Sequence, residues 1–308
     1  MPAAVSGLCH TPGAPKHHRH GDPSACSYGA DQERRTLVVR HLIAPMPHNP
    51  RMSAPISMTV TSRVESEVAR TLYALPHYLP ADDERILAWS DELQKAMTAG
   101  RARAFAGFAI LAHLTGDLEG AERFLARAET SGFSEIEMAG ARIPIFMNLG
   151  YASRALAECE TLVSVERMNI GVGLPMVVGS GGLKFAAHLL ARAEAAGIDL
   201  SSVRQISQIR QIAGIATRIA VPDSRFSHVL DIAGALLRKQ QMFWLEESPR
   251  FTYDHEMQCV GIRYRIEVSP DEASRLNGEL IDQVIGEGLT DVPLSIRFLG
   301  TAVAVETN

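Results

Sequence analysis

The segment from Gly116 to Gly132 is echoed from Gly181 to Gly197. Leu125-Ala126-Arg127-Ala128-Glu129 in the first copy is matched by Leu190-Ala191-Arg192-Ala193-Glu194 in the second, and a glycine closes each. Both copies read as amphipathic helices with small residues on the apolar face. A helix of this kind cannot bury that face alone and must stack on neighbours, so the middle of the chain predicts an array of helical hairpins. Arrays of that architecture commonly bind other macromolecules.

The flanking periodicity extends the array. From Val60, the residues Val64, Val68 and Leu72 recur at helical spacing until Pro76 stops the run. A second helix is predicted from an Asp82 N-cap through Ile86, Trp89, Leu93 and Met97, with Gly100 as the residue just past its end. Arg101 to Leu114 and Glu119 to Thr130 form the next pair, joined by Thr115-Gly116-Asp117, in which glycine makes the turn and aspartate caps the helix that follows.

These residues resemble a tetratricopeptide repeat. On that pattern Phe105, Phe108 and Ala109 are packing positions of the first helix, and Ala121, Leu125 and Ala128 those of the second. Gly150 and Ala155 follow Gly116 and Ala121 at the family's period of 34. The resemblance spans roughly residues 101 to 197. It departs from the family at Ala112, where an aromatic is usual, at Phe133, where proline is usual, and at Pro144, inside the predicted helix Ile136 to Leu149. The first helix of the third unit would also have to hold Gly171, Gly173, Pro175 and Gly179. An irregular helical bundle is the alternative, and either is mainly α.

Ser201 to Ala220 is predicted helical, with Ile206, Ile209, Ile212 and Ile215 on one face, and Ser227 to Gln240 follows the break at Pro222-Asp223. The period then changes to two. Val260, Ile262, Tyr264, Ile266 and Val268 alternate with Gly261, Arg263, Arg265 and Glu267, as do Val292, Leu294, Ile296 and Phe298 with their neighbours. Between them Ser269-Pro270-Asp271-Glu272 opens a helix with a capping box. With Gln241 to Glu246 and Arg250 to Met257 read as a hairpin about Ser248-Pro249, the end of the chain is a small α+β module of order ββ-β-α-β. The division expected is a disordered tail or mis-assigned start over residues 1–58, a helical-repeat domain over 59–240 and the module over 241–308. So small a sheet leaves an edge open, which would dock on the array or pair with a second copy of the chain as a homodimer.

Composition narrows the function classes. An apolar content of 46% supports a sizeable core, and a net charge of −5 gives no overall electrostatic reason to expect nucleic acid or an anionic membrane as partner. Cys9, Cys26, Cys159 and Cys259 include no CxxC pair, which argues against a disulfide framework or a zinc site. No run reaches the roughly 18 apolar residues of a membrane span, and the start lacks a secretory signal. The cytoplasm is the expected compartment.

Candidate chemistry is sparse. Gly179, Ser180, Gly181, Gly182 and Lys184 precede a helix whose N-terminal amides could hold a phosphate, but without the GxxxxGK[ST] spacing. In Tyr253-Asp254-His255-Glu256, strand alternation sends His255 to the opposite face from the two acids, so these with Cys259 do not converge on one substrate. His10, His17, His18 and His20 form a tail tract able to hold metal loosely. Arg204, Arg210 and Arg218, followed by Arg225, Arg238 and Lys239, make the one basic stretch, read as a solvated face. His113 and His188 read as core or turn residues. No cofactor is implied. The expected function is therefore non-enzymatic: an adaptor or scaffold that binds another protein through Phe105, Phe108 and Tyr151, with a ligand- or nucleotide-dependent enzyme or sensor using the 179–184 loop as the alternative.

Overall fold

A computed structural model describes residues 55–164, 170–203, 205–244, 250–254 and 259–301. The histidine tract, His255, Glu256 and Arg204 lie outside the described residues. Those described are mainly helical, with a small C-terminal module of three strands and a helix. The helices are α1 (Pro55–Ala74), α2 (Glu84–Ala96), α3 (Arg101–Leu114), α4 (Leu118–Thr130), α5 (Glu135–Asn148), α6 (Ala152–Ser164), α7 (Ile170–Gly179), α8 (Leu183–Ala195), α9 (Ile206–Ala216), α10 (Asp223–Lys239) and α11 (Pro270–Gly286). The strands are β1 (Arg250–Asp254), β2 (Cys259–Ile266) and β3 (Leu294–Gly300). Among the described residues no helix is long and apolar enough to cross a membrane.

α3 with α4, α5 with α6, and α7 with α8 are hairpins closed by the same turn. Gly116, Gly150 and Gly181 stand at φ +74°, +68° and +86°, a region that costs an L side chain dearly. Each glycine N–H donates three residues back, to His113, Met147 and Val178, and the next N–H donates five back, to Ala112, Phe146 and Val177. This is the Schellman pattern, which satisfies the orphan carbonyls of a helix end. Five residues beyond each glycine, Ala121, Ala155 and Ala186 are fully buried.

α10 runs along this line of turns. Gly181 lies against the Ser227 backbone, and Gly150 lies so close to Gly234 that a Cβ on either would enter the other's backbone. Arg238 Nη1 donates to the carbonyls of Leu149 and Gly150 at 2.8 and 2.5 Å. Past α10 the chain meets Tyr78, whose ring covers Gly116, through the bond from Tyr78 N–H to the Gln241 carbonyl at 2.8 Å.

Local details depart from expectation for identifiable reasons. Asp83, not Asp82, caps α2 by accepting from the Arg85 N–H. Gly100 begins α3 in an extended conformation instead of ending α2. α5 and α7 run through Pro144 and Pro175 without ending, because tertiary packing of an apolar helix outweighs the one backbone bond that each proline removes. The helix expected over Ser201 to Ala220 is confined to α9, preceded by Gln205 at φ +59°. At α11 the capping box is half formed: Ser269 Oγ accepts from the Glu272 N–H, while the Glu272 carboxylate turns to Arg275.

Among the described residues, Gln241 to Trp244 do not pair with Arg250 to Asp254 as the expected hairpin requires, and the rest of that hairpin lies outside the described residues. Met242 to Trp244 instead pass extended between the two halves of the molecule, with Phe243 N–H bonded to the Pro76 carbonyl and Trp244 N–H to that of Asn148. β1 pairs antiparallel with β2, and α11 carries the chain over to β3, parallel to β2. Among the described residues the sheet has three strands in the order β1-β2-β3, so the described part of the module reads β-β-α-β.

Two apolar cores result. One gathers α1 to α4 with Phe243; the other runs from α5 to β3 and takes in Met242, Trp244 and the sheet. The sheet thus shares its core with the later hairpins, and the cores meet at α5 rather than near residue 240. Alternation in the extended segment accounts for the stitch, since Phe243 faces one core and its two neighbours the other. Trp244 stacks on Tyr264 at 4.6 Å, and Tyr264 Oη donates to the Phe243 carbonyl at 2.9 Å. At the β3 edge, the Asn277 side chain donates to the Phe298 carbonyl at 2.9 Å and accepts from its N–H at 2.8 Å. That level of the edge is closed to an added strand.

Candidate functional site

α3 is apolar around most of its circumference, so it packs on both sides. Gly107 admits the Leu93 side chain of α2, while Ala109 is sealed in the core. Phe105 and Phe108, three residues apart, are left half-buried along one flank. On α4 Phe124 is the half-buried neighbour of fully buried Leu125. It stacks on Phe108 with centroids 5.3 Å apart. Arg127, one turn on and exposed, lays its guanidinium 5.9 Å from the ring centres of both Phe105 and Phe124. The result is a three-phenylalanine patch with an arginine above it, able to offer apolar area, π faces and a cation to one partner.

Tyr151 does not join this patch. It lies at the seam of the two cores under the Arg238 guanidinium, 3.8 Å from its ring centre. Arg154 Cζ lies 4.2 Å from the centre of the Phe146 ring, and Arg154 also pairs with Glu122 of α4. The sequence does not single out Phe124 or Arg127 as binding residues. Their signal was the helical spacing to Leu125 and Ala128, which places them on the flank beside the buried positions.

The 179–184 loop is built as a joint. Ser180 is fully buried, and its Oγ has no partner among the described residues. The amides of Lys184 and Phe185, which a phosphate would use, donate to Asp223 Oδ1 and Oδ2 at 2.9 Å each. The chain's own carboxylate thus fills the positive end of α8. Nearby, Met147, Gly150, Ala152, Gly179, Leu230 and Trp244 line a cavity of about 10 Å³, room for about one water molecule.

The remaining titratable groups are dispersed. His113 is buried against Phe243, with Nε2 unpartnered among the described residues, and desolvation pushes its pKa down to about 3. Glu65, 9% exposed, is raised to about 7 by desolvation, with Arg103 pulling the other way. Burial raises the Cys159 thiol to about 12, which makes it unreactive. His188 is exposed. In the basic stretch Arg210, Arg225 and Lys239 pair with Glu194, Asp291 and Glu279. Among the described residues no three metal-ligating side chains cluster.

No family model, curated protein or solved structure matches this chain.

Proposed function

We propose that this chain is a non-catalytic interaction protein that binds a protein partner through the Phe105–Phe108–Phe124 patch of its first hairpin. The observation that carries this reading is the patch itself, three phenylalanines held half-buried beneath one exposed arginine. Aromatic and arginine side chains of this kind supply a disproportionate share of interface energy. The three hairpins are read as units of a tetratricopeptide-like array, in support of which stand their shared turn and their equivalent buried alanines. A nucleotide-dependent role is disfavoured by Asp223 on the amides that a phosphate would need. The cytoplasm suits a chain in which the buried Cys159 is a free thiol.

The test is affinity capture from the native cell after mild crosslinking, with wild type beside Arg127→Glu and Phe105→Gln/Phe124→Gln. A stoichiometric protein companion captured by wild type and lost from both variants is expected, with Arg127→Glu melting as wild type does. A companion that both variants retain, or wild type recovered bare, overturns the reading.

A further inference from the structure

The C-terminal sheet turns one face to the core. Val260, Ile262, Tyr264, Ile266 and Phe298 are buried there, and the residues between them face solvent. Arg263, Arg265 and Arg297 are exposed on that outer face. The ladder aligns Arg263 with Arg297 of β3 and with Arg250 of β1, so arginine occupies one level of all three strands.

This arrangement runs against the sheet's own stability. Neighbouring strands lie about 4.8 Å apart, and like charges opposite each other destabilise a ladder. Several arginines elsewhere in the chain, Arg63, Arg85, Arg154 and Arg275 among them, meet a carboxylate. Among the described residues none pairs with Arg263 or Arg297. In a chain of net charge −5, Arg263 and Arg297, opposite each other on adjacent strands with no carboxylate partner among the described residues, mark a place where local stability yields to binding.

The chemistry of the face selects the ligand. By the same register Thr252, Asp254, Cys259, Gly261, Ser295 and Leu299 are the other positions of that face. No described position on it is aromatic, so nucleic-acid bases would find nothing to stack on. Guanidinium forks match carboxylates bidentately. Alternate side chains along β2 repeat at about 6.6 Å, the same spacing as alternate side chains in an extended peptide laid beside it. We propose that the solvent face of this sheet binds an acidic, extended peptide segment of a partner protein, with Arg263 and Arg297 gripping its carboxylates. This surface is separate from the aromatic patch and does not depend on it.

Fluorescence anisotropy on the full chain tests the proposal with three labelled probes: a peptide alternating glutamate and alanine, its glutamine counterpart, and a single-stranded RNA of equal charge. The acidic peptide should bind at least tenfold more tightly than the glutamine peptide and more tightly than the RNA. The Arg263→Gln/Arg297→Gln variant should lose at least tenfold in affinity while its Tm stays level or rises, because a repulsion has been removed. Arg297→Lys, which keeps the charge and loses the fork, should fall between. Preference for the RNA, undiminished binding by the double variant, no binding by wild type, or a lower Tm for the double variant each overturns the proposal.

Discussion

The first hairpin and the two that follow share a turn but not a way of finishing their second helices. α4 caps itself, with Asp117 accepting from the Gly120 N–H at 2.8 Å. At the equivalent positions α6 has Tyr151 and α8 has Gly182, neither of which carries a capping oxygen. α10 supplies what they lack: Asp231 accepts from the Ser153 N–H at 3.1 Å, and Asp223 from those of Lys184 and Phe185. A locally complete hairpin can form early and alone, whereas the later two are finished only when a helix from further along the chain lies down across them. The N-terminal half is thus held by short-range logic, and the C-terminal half by a single keystone.

The strongest way to break that contrast is to lift the keystone. Gly234→Val would drive a side chain into the Gly150 backbone. It should cost on the order of 3 kcal/mol or more, with amide exchange accelerating in α6, α8 and the sheet before α3 and α4. Gly140→Ala, inside α5 where nothing lies within 4 Å, should instead stabilise by about 1 kcal/mol. Equal loss of protection in both halves would refute the keystone account.

Acidity acts on the N-terminal half. Glu65 is raised from 4.5 to about 7, so its native state holds a proton that the unfolded chain releases, and its stabilisation is lost as pH climbs from about 4.5 to 7. His113 is lowered from 6.5 to about 3, so its contribution is lost as pH falls through that range. The two oppose each other between about 4.5 and 6.5. Urea melts should therefore show stability nearly flat there, falling on either side. Glu65→Gln should gain about 3 kcal/mol at pH 8 and remove the alkaline fall; persistence of that fall would show that Glu65 is not its source.

The finest test sets one cap against another. Asp223→Ala removes two charge-assisted bonds and should cost about 2–3 kcal/mol. Asp117→Ala removes one local cap and should cost about 1 kcal/mol. Thermal unfolding followed by far-UV circular dichroism would rank them, and an Asp117 effect equal to or larger than that of Asp223 would erase the distinction.

Much of the fold could be read from residues alone where the signal was local. α3 falls at its expected bounds and α4 starts within one residue of its own, because Gly116, Asp117 and the 3.6-residue pattern lie within one turn of what they control. β2 and β3 followed from alternation. Met242 to Trp244 misled because alternation marks an extended segment without revealing whether its partner is a strand or a seam between cores. The aromatic patch was half legible: Phe105 and Phe108 were identified, but nothing local separates Tyr151, which went to the seam, from Phe124, which joined them. Arg263, Arg265 and Arg297 stood visible as the polar half of two alternating runs, yet their alignment is a matter of ladder register, which neither run contains.

By itself the sequence determined that this protein is a set of helical hairpins followed by a small mixed sheet, because periodicity, caps and turn glycines act within a few residues. Tertiary structure alone decided that α10 completes α6 and α8, that a glycine-rich loop is a joint whose amides hold Asp223, and that arginines distant in the chain share one level of a sheet. Those outcomes depend on contacts between residues tens of positions apart, whose geometry is fixed only when the cores close.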